Sequence, residues 1–475
     1  MTYIIGGLAF IFILGAAVVI HEFGHFAVAK LLKIRVETFS VGFGPRLLGR
    51  KWGDTDYRVS AIPLGGYVKL GGDESNAPIE GASASDIPPE EQFNLRPKWQ
   101  RIAVAIAGPI MNILTALAIP LGAAMLFGIP AMPTSPVVAR VIPGRAAETA
   151  GLQPGDRIVS FNGVDNPTWD RIRGDALVVP DQPQPIPLTI ERNGERRSLS
   201  IVPTVRKEGT ETIGELGFVP DYGVVVPVII DAVSQGSAAE RAQVKPGDRL
   251  LAINGEQIRN SAHATQFISE YKEGELRLTI EREGQQMELA ASDLQRVRDD
   301  KGNERALLGV QLGDDPPRQR VGPAAATGYA VNFNLEILRL TGRALSQFFT
   351  GQRSARNTIS GPIGIARAAS TSANELGWSG VFGMLGFLSL SLGVFNLLPI
   401  PVLDGGAIFI LLLEAVLGVI GIRLSMAIRE RIQQVGFVML LLLMVFVISN
   451  DLIKEASIWR GGSNKPAQQA PAPQK

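Results

Sequence analysis

His21-Glu22-Phe23-Gly24-His25 follows an apolar run, Tyr3 to Ile20, that carries no charged residue. Extended by Phe26 to Leu32, the run is long enough to cross a bilayer and predicts a first transmembrane helix. It has no basic leading segment and no small-residue cleavage site before the charged continuation, so it reads as a retained span rather than a signal peptide. Positions i and i+4 share one helix face, so His21 and His25 can offer both imidazoles to one metal ion. Glu22 projects beside that ion, where it can take a proton from water. Histidines four apart can also decorate an ordinary helix. Here only three histidines occur in 475 residues, and two of them flank a glutamate beside a hydrophobic span, where an ionisable group is costly without a use.

Composition narrows the alternatives. The length allows several domains. A net charge of +1 leaves no basic excess to neutralise phosphates, which argues against nucleic acid as a partner. With no cysteine, disulfides and thiolate ligands are excluded, and a metal must be held by His, Asp or Glu. Hydrophobic residues make up 46% of the sequence and mean hydropathy is +0.17, with the apolar residues gathered in blocks, the pattern of membrane spans joined to soluble modules.

After Lys33, Arg35 to Phe43 and Tyr57 to Leu70 have strand composition, with bends at Gly42-Phe43-Gly44-Pro45 and Pro63-Leu64-Gly65-Gly66. They predict a hairpin, either dipping into the bilayer beside the metal or lying in the cytoplasm, since strand propensity is silent about depth. Asp73 to Glu91 reads as a loop or lid, and Phe93 to Arg101 as an interfacial stretch of aromatic anchors and cations. A second span runs from Ile102 to Phe127, with Gly108-Pro109 permitting close approach and Asn112 expected to hydrogen-bond a neighbouring helix or the hairpin.

Beyond a linker at Pro130 to Pro136 an internal repeat begins. Pro154-Gly-Asp-Arg-Ile-Val-Ser-Phe-Asn-Gly163 matches Pro246-Gly-Asp-Arg-Leu-Leu-Ala-Ile-Asn-Gly255, and each copy continues to a β-like segment, Ile186 to Glu191 and Leu276 to Glu281. A period of about ninety residues suits two tandem domains rather than a solenoid. The pattern resembles PDZ domains, which implies binding of an extended peptide or a free C-terminus along a sheet edge, with a spacer or steric filter as the alternative. His263 lies in the second copy, where a surface role is expected.

After a linker at Asp314 to Gly322, Thr327 to Gly351 has helical periodicity with Arg339 and Arg343 between the apolar positions, and reads as an amphipathic helix near the membrane. A turn at Ser360 to Gly364 precedes a third span, Trp378 to Leu398, and a fourth runs from about Val435 to Ser449. Between them lie Leu397-Leu-Pro-Ile-Pro-Val-Leu-Asp-Gly-Gly406 and an apolar helix through Leu417. The tail from Gly461 to Lys475 has disordered composition. Cations crowd the connection between spans one and two, including Arg46, Arg50, Lys51, Arg96 and Arg101, and the connection between spans three and four carries Arg423, Arg429 and Arg431. Both are then cytoplasmic and the repeats lie outside.

A catalytic zinc site wants three protein ligands and one open position. Asp404, acidic in an apolar setting, is the best third ligand, because Pro399 and Pro401 break the span and the following glycines permit close approach; capping the next helix is its alternative role. Asn396 can hold or polarise a carbonyl, or serve structure alone.

His-Glu-Phe-Gly-His, Gly42-Phe-Gly44, Pro63-Leu-Gly-Gly-Tyr-Val-Lys69, Gly108-Pro-x-x-Asn112, the paired PDZ-like modules and Asn396-x-x-Pro-x-Pro-x-Leu-Asp-Gly405 together resemble the site-2 protease family of intramembrane zinc metalloproteases. The resemblance extends over nearly all of the sequence. It implies one zinc ion held by His21, His25 and Asp404, Glu22 as general base, and Asn396 assisting the substrate. A strand at Gly65, Gly66 and Tyr67, with Pro399 and Pro401, would contact unwound substrate. The implied substrates are single-span membrane proteins already trimmed outside, such as an anti-sigma factor or a remnant signal peptide, in envelope stress signalling at a bacterial inner membrane. Ala407 departs from the histidine common in relatives, at a position that is not a ligand.

The expected fold is therefore a multi-span α-helical membrane protein, with four transmembrane helices and a membrane-associated β-hairpin, carrying two tandem α+β PDZ domains. Its expected parts are residues 1–132, the modules 133–220 and 221–313, a second membrane region 314–460, and the tail 461–475. The competing reading is a non-proteolytic PDZ adaptor with a structural metal.

Overall fold

The computed structural model describes residues 2–73, 87–130, 136–142, 144–208, 211–221, 225–298, 304–315, 317–354, 360–419 and 426–461. Most of the expected lid, the linker after Pro130, residues 420–425 of the connection before the last helix, and the tail beyond Gly461 lie outside these residues. The protein divides into two compact units. One comprises Met1–Ala124, Ala324–Ile337 and Ile359–Lys475; the other comprises Met125–Pro323 and Leu338–Thr358.

In the first unit, α1 (Thr2–Leu31) ends in a Schellman arrangement: Lys33 takes a positive φ of 56°, and the Ile34 and Lys33 N–H groups donate back to the Ala29 and Lys30 carbonyls. Strands β1 (Val36–Trp52) and β2 (Thr55–Leu70) follow. They are longer than the sequence runs and fold on themselves rather than forming a simple hairpin. Phe39 pairs with both Tyr57 and Val68, Ser40 with Arg58 and Tyr67, and Val41 with Val59 and Gly66. The segment Gly66–Leu70 pairs with the first residues of β1, Val36 to Val41.

Helix α2 (Lys98–Phe127) contains Pro109 and Pro120. The remaining helices of this unit are the first half of α5 (Pro323–Phe349), α6 (Pro362–Asn396), α7 (Asp404–Val419) and α8 (Met426–Gly461). Four helical segments are long and apolar enough to cross a membrane, Ile5–Leu31, Lys98–Phe127, Leu376–Asn396 and Arg431–Ala456, so the last two spans begin slightly earlier than their apolar cores suggest. Ala9, Ile13 and Ala17, which share one face of α1, pack on Ala369, Val381, Leu385 and Leu388 of α6, because residues four apart align. Helix α6 bends at Gly377, whose φ is +58°. Asp451 of α8 accepts hydrogen bonds from the N–H groups of Gly361, Ile363 and Gly364, satisfying the open N-terminus of α6.

In the second unit the two repeats are separate modules of the same design. The first is a sheet ordered β7 (Phe218–Asp221), β3 (Val137–Val141), β4 (Arg157–Phe161), β5 (Ile186–Arg192), β6 (Glu195–Ile201), with helix α3 (Trp169–Leu177). The second is ordered β11 (Gln285–Ala291), β10 (Leu276–Arg282), β9 (Arg249–Ile253), β8 (Val228–Val233), β12 (Val310–Asp314), with helix α4 (Ser261–Glu270). Alternation buries Ile186, Leu188 and Ile190 in one module and Leu276, Leu278 and Ile280 in the other. Asn193-Gly194 and Glu283-Gly284 make the hairpin turns, both residues at positive φ in each. The aspartate of each Pro-Gly-Asp motif is buried. Asp156 accepts from the Gln153 N–H and Arg192 Nε, and Asp248 from the Lys245 N–H and Arg282 Nε, at 2.6–2.8 Å. The repeat motif is thus a turn locked to the end of a strand.

Candidate active site

The backbone of α1 places His21 and His25 one turn apart, and α7 begins at Asp404, so that residues far apart in the sequence meet. His21 Nε2 lies 3.2 Å from His25 Nε2 and 3.0 Å from Asp404 Oδ2, and His25 Nε2 lies 3.6 Å from Asp404 Oδ1. The carbonyl of Leu403 accepts the first helical N–H groups, from Gly406 and Ala407, which leaves the Asp404 carboxylate turned to the histidines rather than capping its own helix.

Glycine sets how closely the helices pack. A Cβ on Gly108 of α2 would strike the His25 and His21 rings, and one on Gly24 would strike the Ala107 carbonyl. After the Pro399-Ile400-Pro401 bend, Gly405 and Gly406 lie against the carbonyls of Leu397, Leu398 and Ile400, where no side chain fits.

The neighbours fix the ring orientations. His25 Nδ1 donates to the Val104 carbonyl at 2.8 Å, which assigns the tautomer with a free Nε2. Asn112, fully buried, has its amide 3.4 Å from His21 Nδ1. With the amide turned so that Oδ1 faces the ring, His21 Nδ1–H gains an acceptor, and an otherwise orphaned buried oxygen gains a donor. Asn112, read from sequence as a bond to a neighbouring helix, therefore reaches the candidate metal centre itself. Asn396, the last residue of α6, has its amide nitrogen 3.4 Å from His21 Nε2. Gly66 sits beside the Glu22 side chain, and the Glu22 carboxylate meets the Val68 backbone N–H, so β2 runs next to Glu22. Tyr67 stacks on Phe43 at 6.1 Å, and Gly65 has a φ of +145° that only glycine adopts freely. Pro399 and Pro401 shape the bend between Asn396 and Asp404.

Ligand atoms around a tetrahedral zinc ion at about 2.0–2.1 Å lie roughly 3.3 Å apart. The three donors lie within 4.8 Å of one another, with two imidazole nitrogens and one carboxylate, and so fit that ion. The matching model for Peptidase family M50 covers residues 9–443, which include every residue of this cluster. The chain belongs to peptidase family M50. It is similar to a putative zinc metalloprotease of Vibrio cholerae, 32% identical over 467 residues that cover 94% of this chain and 98% of that protein. It is also similar to the regulator of sigma-E protease of Escherichia coli strain K12, 30% identical over 462 residues that cover 93% of this chain and 97% of that one. As a member of family M50 the protein is a zinc metalloprotease, and the His21–His25–Asp404 cluster is the one group of three such donors among the described residues.

The third histidine is elsewhere: His263 accepts from the Arg259 N–H and faces Glu256 within its own module. Sequence reading gave Gly108 only a general part in helix approach; its specific need, room for the histidine rings, becomes visible when α2 is laid on α1. Arg339 and Arg343 lie on the helix expected there, and nothing in the sequence assigns them a partner. Both guanidinium groups lie 2.6 Å from Asp175 Oδ1, on the first module.

Proposed function

We propose that the protein hydrolyses peptide bonds within the membrane-spanning segments of single-span proteins in a bacterial inner membrane, with His21, His25 and Asp404 holding zinc. The observation that carries this reading is the adjacency of Glu22 to both the three-donor cluster and the β2 backbone at Gly66 and Val68. A bound zinc ion supplies a nucleophile at neutral pH and polarises the scissile carbonyl. Glu22 takes the proton from the attacking water and returns it to the leaving amine. Asn396 donates its amide N–H to the carbonyl oxygen, where negative charge develops. A helical substrate shields its peptide bonds, so it must unwind, and its freed backbone groups need partners at that depth. Strand addition along β2 at Gly65, Gly66 and Tyr67 is the proposed source of those partners, with Pro399 and Pro401 of the bend as further substrate contacts.

The strand order, turn motif and helix placement of the two modules support reading them as PDZ domains, and the charge pattern of the flanking connections favours a position outside the cytoplasm. In the first, β7 is an edge strand beside α3, and a groove of about 460 Å³ lined by Ile142, Trp169, Ile172, Ala176, Leu216 and Phe218 lies between them. It suits the extended C-terminal end of a protein already cut outside, the class to which a trimmed anti-sigma factor or remnant signal peptide belongs, and so connects the enzyme to envelope stress signalling. An adaptor with a structural metal would need a fourth protein ligand, and no further His, Asp or Glu joins the cluster among the described residues.

The test is cleavage of a single-span substrate by the detergent-solubilised protein before and after chelation. Loss on chelation and return with Zn²⁺ are expected; cleavage indifferent to chelation would refute the reading.

A further inference from the structure

Asp175 is fully buried in the first module, yet it is a charge that the repeat does not require: the aligned position of the second copy is Phe267, an apolar residue packed on that module's core. The Asp175 carboxylate accepts from Asn162 Nδ2 at 2.8 Å and Arg171 Nε at 3.3 Å within the module, and from Arg339 and Arg343 of α5 at 2.6 Å each. A buried carboxylate with two arginines from another element is a clamp, because removing either side leaves uncompensated charge. The clamped segment, from Leu338, belongs to the same compact unit as the module, whereas the first half of the same helix belongs to the membrane unit, where buried Asn334 donates to the Ala116 carbonyl of α2.

Asp175 sits on α3 between Ile172 and Ala176, which line the groove. One short helix, nine residues long, therefore carries the groove on one face and the clamp on the other. We propose that Asp175 makes α3 a relay, through which occupancy of the first module's groove is read by α5, so that the module is a sensor rather than a passive spacer. This rests on the reading of the groove as a peptide site. The second module has no such relay at the corresponding position, since Phe267 offers no acceptor to a guanidinium.

Coupling is reciprocal, so the clamp can be perturbed and the groove observed. The experiment uses the full-length protein in detergent, comparing wild type with Arg339→Gln/Arg343→Gln and, separately, Asp175→Asn. Amide hydrogen exchange is followed at residues 169–177, 218–221 and 339–349, with β5 and β6 as internal controls. The probe is a synthetic peptide with an apolar last residue and a free carboxylate. In both variants, exchange at 169–177 and 218–221 is expected to rise at least about fivefold with β5 and β6 unchanged, and peptide affinity to fall by a similar factor. In wild type, the peptide is expected to slow exchange at 339–349; in Asp175→Asn it is not. Unchanged exchange at α3 and β7 would overturn the relay, and so would a uniform rise that includes β5 and β6. If the peptide fails to bind wild type, the peptide-site reading falls and the relay with it, whereas binding that leaves exchange at 339–349 unchanged overturns the relay alone.

Discussion

His25 Nδ1 donates to the Val104 carbonyl while its Nε2 faces His21 Nε2 at 3.2 Å, so a backbone group of α2 aims a side chain of α1 into the candidate metal centre. The centre depends on how α1 and α2 pack as much as on the ligands themselves.

Replacing a ligand should empty the site. In His21→Ala and in Asp404→Asn, zinc measured by elemental analysis of the purified protein is expected to fall below about one-tenth of the wild-type content, since two remaining donors do not make a closed site. Unchanged zinc in both would remove these residues from the ligand set.

Asn112→Ala should weaken zinc binding about 10–100-fold in competition with a chelator, the usual effect of losing a partner to a ligating histidine, while the helices remain folded. Equal affinity in the variant would make Asn112 a packing residue only.

Gly108→Ala tests the packing. The added methyl meets the rings of His25 and His21 and must displace them, and a shift of about 1 Å at reacting groups costs on the order of 10²-fold in turnover. Wild-type turnover of a single-span substrate by this variant would show that the rings have room the structure does not give them.

The modules should lose stability in acid. Burial alone would raise the Asp248 carboxyl, but the Arg282 hydrogen bond, the Lys245 N–H and the charges of both residues outweigh it and hold the group below its usual range. Asp175 is likewise held low against burial, by Asn162, Arg339 and Arg343. A carboxyl depressed in the folded state binds fewer protons than in the unfolded state. Its stabilisation is complete above the unfolded value of about 3.9 and is lost as pH falls through the lower folded one. Thermal unfolding should therefore drop steeply below about pH 4. Asp248→Asn should lower the midpoint at pH 7 by several degrees and flatten that dependence. A wild-type profile in the variant would assign the acid sensitivity elsewhere.

Much of this was legible in the sequence because it is written locally. His21, Glu22 and His25 share one turn, the Pro-Gly-Asp repeat announces itself twice, and Asp404 stands out as a carboxylate in an apolar stretch. What escaped is non-local. Arg339 and Arg343 have the spacing of lipid-facing cations, and nothing near them points to Asp175. Phe39 sits in an ordinary strand pattern, which does not reveal that it pairs on both sides. Asp451 reads as the polar end of a span until the bare N-terminus of α6 is brought to it. Gly108 looks like any membrane glycine until the histidine rings fill the space beside it.

The central claim is that Glu22 moves the proton in peptide-bond hydrolysis, and Glu22→Gln tests it most directly because it keeps the side chain's size. The measurement is cleavage of a single-span substrate by the purified variant, with zinc content determined on the same sample. The account predicts wild-type zinc and cleavage reduced by at least about 10²-fold. Full zinc with undiminished cleavage would contradict it.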